Sequence, residues 1–176
     1  SALRRFVFRS KVAISVPGGL ALAGAFAAPG RTTATEDEGG VVELDLSGEG
    51  GSRTVRIGGD RGIDDPAAVA RWDAIDLMHG LPRLPASQAE RWTPQQLSLD
   101  RLRAYSVAKG CYPGQEIVAR THFLGQAKRG LVLLEGDAPI DAGSEVQSGE
   151  RALGTVVCAE GNLALAVMPL ERDGGE

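Results

Sequence analysis

Beyond residue 128 the chain reads as four short apolar runs: Gly130–Leu134 (GLVLL), Ser144–Gln147 (SEVQ), Leu153–Ala159 (LGTVVCA) and Leu163–Met168 (LALAVM). Turns containing Gly, Pro or Asp separate them. Runs of this length bounded by turn formers read as strands, and several at such close spacing point to a small antiparallel barrel or sandwich. The change of texture places a boundary near 126–130.

Working back toward the N-terminus, Gly114–Leu124 can open a helix after the Pro113-Gly114 turn and close near Gly125. Leu99 and Leu102, three apart, suggest a short helix around Leu97–Arg103, and Leu81–Trp92 is a connector containing prolines. The best-defined helix covers 66–79. Asp65 can cap it, Pro66 suits its first position, Gly80 suits C′, and Pro82 prevents continuation. Ala68, Trp72, Ile75 and His79 fall on one face of that helix. Further back, Val41–Leu46 and Arg53–Ile57 alternate as strands around a Gly-rich turn, Gly48–Gly51. Phe6, Phe8, Val12, Ile14 and Val16 also alternate. Pro17-Gly18-Gly19 then turns the chain into the apolar run Leu20–Ala27, which can return as a paired strand.

Composition narrows the class. The 176 residues are 43% hydrophobic, enough for a core, with a formal charge of −4 and only two cysteines. Two cysteines argue against a disulfide-stapled scaffold. The longest apolar stretch, Gly18–Pro29, contains Gly and Pro and is too short to cross a bilayer. No signal or transit segment is visible, so a soluble cytoplasmic protein is expected, without membrane contact. Charge is uneven: residues 101–129 carry Arg101, Arg103, Lys109, Arg120, Lys128 and Arg129 against Glu116 alone. A basic middle in an acidic chain fits a local anion site, and equally a solvated basic face.

The chemistry concentrates in Lys109-Gly110-Cys111-Tyr112-Pro113-Gly114-Gln115-Glu116-Ile117-Val118-Ala119-Arg120. Cys111 lies just before a helix start and two residues from Lys109, and both features favour thiolate over thiol. Gly110 and Gly114 permit a tight turn and close approach of a ligand to the backbone. The alternative is a small buried residue in a turn. Cys158, within Val156-Val157-Cys158-Ala159, reads as core. His79 and His122 are far apart and show no metal-binding spacing, so no metal site is expected.

The same stretch is a family signature. Lys-Gly-Cys-Tyr-x-Gly-Gln-Glu followed by Val-Ala-Arg resembles the YgfZ-type folate-binding proteins, the iron–sulfur cluster maintenance branch of the aminomethyltransferase-like superfamily. Glu90, Trp92, Pro94-Gln95, Leu97, Leu99-Asp100, Gly125 and Lys128-Arg129 agree with it. Ser98 departs, standing where the family usually has Asn, as does Val107, where it has an aromatic residue; Gly is common near Ala104. Family members are also longer at the N-terminus, so this chain is expected to be a fragment with an incomplete folate cavity.

The resemblance implies an α+β fold: a partial ferredoxin-like folate-binding region, 1–127, followed by a small C-terminal antiparallel β-barrel, 128–176. It implies tetrahydrofolate as ligand, with or without a polyglutamate tail. Cys111 is then the functional thiol and Lys109 its electrostatic neighbour. Tyr112, Gln115, Glu116 and Arg120 are candidates for folate contact or for bracing the motif, and Arg120 can pair with Glu116 at i, i+4. Two cysteines are too few to hold a cluster, which commonly needs four ligands. The expected role is therefore accessory, serving iron–sulfur assembly proteins or client enzymes such as those that modify tRNA. It would act in the bacterial cytoplasm, or in the mitochondrial matrix if the source is eukaryotic. A folate-dependent aminomethyl or one-carbon transferase and a tRNA-binding module are the competing functions. The signature marks the other branch in the first case, and the acidic total weighs against the second.

Overall fold

The strand at the centre of the C-terminal sheet is apolar at every position from Leu163 to Met168, and the structure shows why: both of its faces are covered. This is a computed structural model that describes residues 18–30, 40–108, 114–124 and 128–170. Among these residues the fold is mixed α+β, with two antiparallel sheets and two α-helices. In chain order these are β1 (Leu22–Ala25), β2 (Val42–Asp45), β3 (Thr54–Ile57), α1 (Pro66–Met78), α2 (Gln115–Leu124), β4 (Arg129–Glu135), β5 (Glu145–Ser148), β6 (Arg151–Glu160) and β7 (Leu163–Pro169).

The chain divides into two compact units, Ser1–Asp64 and Asp65–Glu176. In the first, β3 lies between β1 and β2. Leu22, Ile57 and Val42 share one level of the sheet and Gly24, Val55 and Leu44 the next but one, so one face is apolar. On the other face Glu43 and Arg56, directly opposite each other, form an ion pair at 3.4 Å. The expected turn at Gly48–Gly51 forms, its two residues exchanging backbone bonds of 3.2 and 2.9 Å. The run Leu20–Ala27 supplies β1, which pairs with β3; the alternating residues 6–16 lie outside the described set.

In the second unit the sheet order is β4-β7-β6-β5. All four strands fall where the apolar runs placed them. Leu165 and Val167 of β7 join Val157 and Cys158 of β6, Leu77 of α1 and Leu97 in one core. Ala164 and Ala166, on the opposite face of β7, pack with Val156, Ile140, Val146 and Leu134 in another. A β-bulge between Val156 and Cys158 turns both Val157 and Cys158 toward the first core, which strict alternation would forbid. Each fully buried Val or Leu side chain here contributes about 1.5–3 kcal/mol.

Among the described residues this sheet is open. Closing the expected barrel would require β4 to pair with β5, but both remain edges, and the Leu131 N–H of β4 instead donates to Ser98 Oγ at 3.0 Å. The second unit begins at Asp65, and within it α1 and Leu97 bury against β6 and β7.

Helix α1 has the expected caps. Asp65 Oδ1 accepts from the N–H groups of Ala67 and Ala68 at 3.0 and 3.1 Å. At the other end the Leu81 N–H reaches Asp76 O and the Gly80 N–H reaches Leu77 O, both at 2.8 Å, with Gly80 at φ +64°. That is a Schellman closure, for which glycine suits the left-handed C′ residue. None of the described helices is long and apolar enough to cross a membrane.

Gly154 of β6 sits tight against β7, where an added Cβ would lie 2.5 Å from Val167 O and 2.7 Å from Met168 Cγ. Gly154→Ala is expected to destabilise the second unit by about 2 kcal/mol or more, measured by urea denaturation. A change below about 0.5 kcal/mol would show that the two strands separate easily.

Candidate functional site

The connector between α1 and α2 is built from polar residues that the fold buries. After Pro85 a single 3-10 turn, Ala86–Gln88, brings the Gln88 side chain fully inside. Its Oε1 accepts the Trp92 indole N–H at 3.0 Å, fixing the plane of that ring, and Trp92 also packs on the core of β6 and β7. Thr93 and Gln96 then form a capping box: the Gln96 N–H donates to Thr93 Oγ1 at 3.3 Å and the Thr93 N–H to Gln96 Oε1 at 2.9 Å. Pro94 occupies the first helical position, where its missing N–H costs nothing.

The helix started there lasts one turn. Leu99 N–H bonds Pro94 O and Ser98 N–H bonds Gln95 O, both at 3.0 Å, with Ser98 at φ +49°. A second turn follows and closes the same way: Ala104 N–H bonds Leu99 O at 3.0 Å, Arg103 N–H bonds Asp100 O at 2.9 Å, and Arg103 sits at φ +51°. These are two Schellman closures with non-glycine residues at C′. The helix expected over Leu97–Arg103 is therefore two separate turns, because a left-handed residue interrupts the α backbone at Ser98. That position suits the Asn of the resembled family, since Asn enters the left-handed region more readily than most residues. Ser98 is held there by the bond its hydroxyl oxygen accepts from the Leu131 N–H at the edge of β4.

These turns and the start of α2 enclose a cleft of about 400 Å³, within the range of small-molecule sites. Trp92, Pro94 and Tyr105 form its connector walls, Gly114, Ile117 and Val118 its α2 side, and Glu90 and Arg91 are exposed at its rim. Glu90 is itself left-handed, at φ +60°, a conformation that costs an L-residue about 1–2 kcal/mol. Gly114 takes φ +81° at the entry to α2, which only glycine adopts without strain. Gln95 joins the two sides: its Nε2 donates to Val118 O at 2.9 Å.

Of the residues singled out from sequence, Lys109, Cys111 and Tyr112 lie outside the described set. Gln115 is half-buried, and Glu116 and Arg120 are exposed. None of these three lines the cleft. Glu116 and Arg120, although four apart on α2, form no ion pair with each other among the described residues. Trp92 both packs on the core and lines the cleft. Sequence reading missed Tyr105, Ile117 and Val118 as cleft walls, and Gln88 and Gln95 as the buried amides that hold them. The capping-box pattern Thr93-Pro94-Gln95-Gln96 was the available signal.

Cys158 is core, as expected. Burial pushes its thiol up, partly offset by the backbone N–H groups of Arg83 and Leu165. Arg83 also clamps the connector to α1, with Nη2 and Nε at 2.7 and 2.8 Å from Asp76 Oδ2 and Nε at 3.4 Å from Asp73. No family model matches the chain.

Two outcomes follow from this geometry. Arg103→Gly is expected to raise stability by up to about 1 kcal/mol in urea denaturation, by relieving the left-handed backbone of an exposed residue; a loss would show that the Arg103 side chain contributes to the fold. In a Cys111→Ala chain, Cys158 should resist Ellman's reagent until urea unfolds the protein. A raised folded-state pKa means the folded state holds the thiol proton more tightly. The stability it contributes is therefore full below the unfolded thiol pKa of about 8.5 and declines as pH rises above it. Rapid native labelling would show that β6 opens locally.

Proposed function

We propose that the protein binds a reduced folate, tetrahydrofolate with or without its polyglutamate tail, at the cleft between the connector and α2. On this basis it serves as an accessory factor in the assembly or repair of iron–sulfur clusters. One observation carries the assignment: the signature segment that holds Cys111 follows Tyr105 and contains Gly114, and both residues line the cleft. A ligand cleft and the Lys-Gly-Cys-Tyr-x-Gly-Gln-Glu signature thus belong to the same stretch of chain.

The residues suit the roles. Trp92 and Tyr105 offer aromatic surface to a flat ring, and Arg91 at the rim offers a cation to an acidic tail. Lys109 and the start of α2 would lower the pKa of Cys111 and raise its thiolate fraction, the form that binds metals and attacks sulfur. Gln115, Glu116 and Arg120, which do not line the cleft, brace the signature. The region ahead of β4 would correspond to the family's ferredoxin-like folate-binding region, and the β4–β7 sheet to its C-terminal barrel domain, here open. The clients would be iron–sulfur enzymes, including those that modify tRNA, in the bacterial cytoplasm or the mitochondrial matrix.

The test is genetic. Deleting the full-length gene should lower the product of an iron–sulfur tRNA-modifying enzyme, measured as its modified nucleoside. Wild type should restore it and Cys111→Ala should leave it near the deletion level, with both proteins equally abundant. Full restoration by Cys111→Ala would overturn the thiol role. Transfer of a one-carbon unit from an aminomethyl donor to tetrahydrofolate by the pure protein would favour the transferase instead.

A further inference from the structure

Helix α2 forms one side of the cleft, yet it stands apart from the cores behind it. Among the described residues none of its side chains belongs to either core of the second unit, and Val118 is the one that is buried. Ile117, on the cleft, and Phe123 remain 54% and 70% exposed. The helix has only 10 residues, a length that is marginal in water by itself. It depends on being docked, and the connector docks it at Gln95.

That docking uses an amide satisfied at one end. Gln95 Nε2 donates to Val118 O at 2.9 Å, while its Oε1 is enclosed by protein with no donor, away from the cleft wall. Docking strips that oxygen of water and returns nothing, which offsets much of what the Nε2 bond contributes. The Val118 carbonyl lies inside a helix that already offers it a bond from the His122 N–H, so it loses little when Gln95 lets go. Lifting α2 opens the Gln95 amide from the Val118 side and returns it to water. At the entry to the helix the backbone can swivel: Gly114 sits at φ +81°, and an added Cβ would meet nothing within 4 Å.

We propose that α2 is a lid. It undocks from the connector to admit a ligand to the cleft and redocks over it, and the unpaired oxygen of Gln95 keeps the docked position shallow enough to open. A ligand that touches Ile117 and Val118 adds contacts that only the docked helix can offer, so occupancy favours closure. The opening rests on the packing of α2 alone, and the choice of a folate as the closing probe rests on the assignment above.

Hydrogen exchange of the whole wild-type chain, read by mass spectrometry, should find the α2 amides at least about a hundredfold less protected than those of β7, which lies between both cores. Gln95→Met, checked for folding by thermal denaturation, replaces the half-satisfied amide with apolar atoms of similar shape and should raise α2 protection about threefold or more. In a Cys111→Ala chain carrying Val118→Cys, Ellman's reagent should label the new thiol at least about tenfold faster than Cys158 without denaturant, because opening bares that wall of the cleft. Saturating 5-formyltetrahydrofolate should slow α2 exchange about tenfold. Exchange of α2 and β7 at one rate, α2 protection that Gln95→Met leaves unchanged or lowers, or a new thiol as slow as Cys158 would overturn the lid. A lid that opens in these ways but is not slowed by the folate would overturn the folate assignment alone. Calorimetric binding of the folate to a chain whose α2 never opens apart from β7 would overturn this inference alone.

Discussion

Burial of β7 on both faces is the constraint from which the second unit is built. A strand with one wet face can alternate, but a strand between two cores must be apolar throughout, and Leu163–Met168 is. Its larger side chains, Leu165 and Val167, face the core shared with α1 and the connector, while Ala164 and Ala166 face the other. The small residues leave room for Ile140 and Val146 to close over that side. Because α1, Leu97, Leu99 and Trp92 all pack on the first core, the cleft beside Trp92 has a rigid back wall.

The connector solves a different problem. It must cross the surface of that core without a long helix, and it does so with two single turns, each stopped by a left-handed residue. Every stop fixes a direction: Gly80 releases α1, Ser98 turns the chain against β4, and Arg103 sends it to Tyr105. Polar side chains replace the missing helical bonds. Gln88 holds Trp92, Gln95 holds α2, and Arg83 holds α1 through Asp76. The cleft is what remains between these turns and α2.

The parts of this fold with strong local signals were legible in the sequence. Asp65, Pro66 and Gly80 mark α1 because capping, proline at the first position and glycine at C′ are local physics. The four apolar runs mark β4–β7 for the same reason. Pairing and closure are long-range, which is why the barrel was expected and an open sheet was found: nothing local in Leu131 reveals that its N–H is taken by Ser98. The two turns of the connector were read as one helix because Leu97, Leu99 and Leu102 have helical spacing, while left-handed serine and arginine carry no glycine or asparagine to announce themselves. The candidate site was legible only as a signature. Sequence placed weight on Cys111 and on the charged residues of α2, yet Glu116 and Arg120 are exposed, and the cleft is walled by the apolar Ile117 and Val118 between them. Buried glutamines were invisible because Gln88 and Gln95 look like ordinary surface residues until the chain folds over them.

The bond from the Leu131 N–H to Ser98 Oγ has a consequence for how the protein behaves in a crowd. An exposed edge strand with free amides is a template on which another chain can add a strand, and such pairing leads to aggregation. Among the described residues strand β4 is such an edge, with Leu133 partly open to solvent. Ser98 occupies one of its outward amides and lays the connector along it. The residue that ends a turn beside the cleft therefore also guards the sheet against its neighbours, so a substitution that frees this edge would show first in solubility.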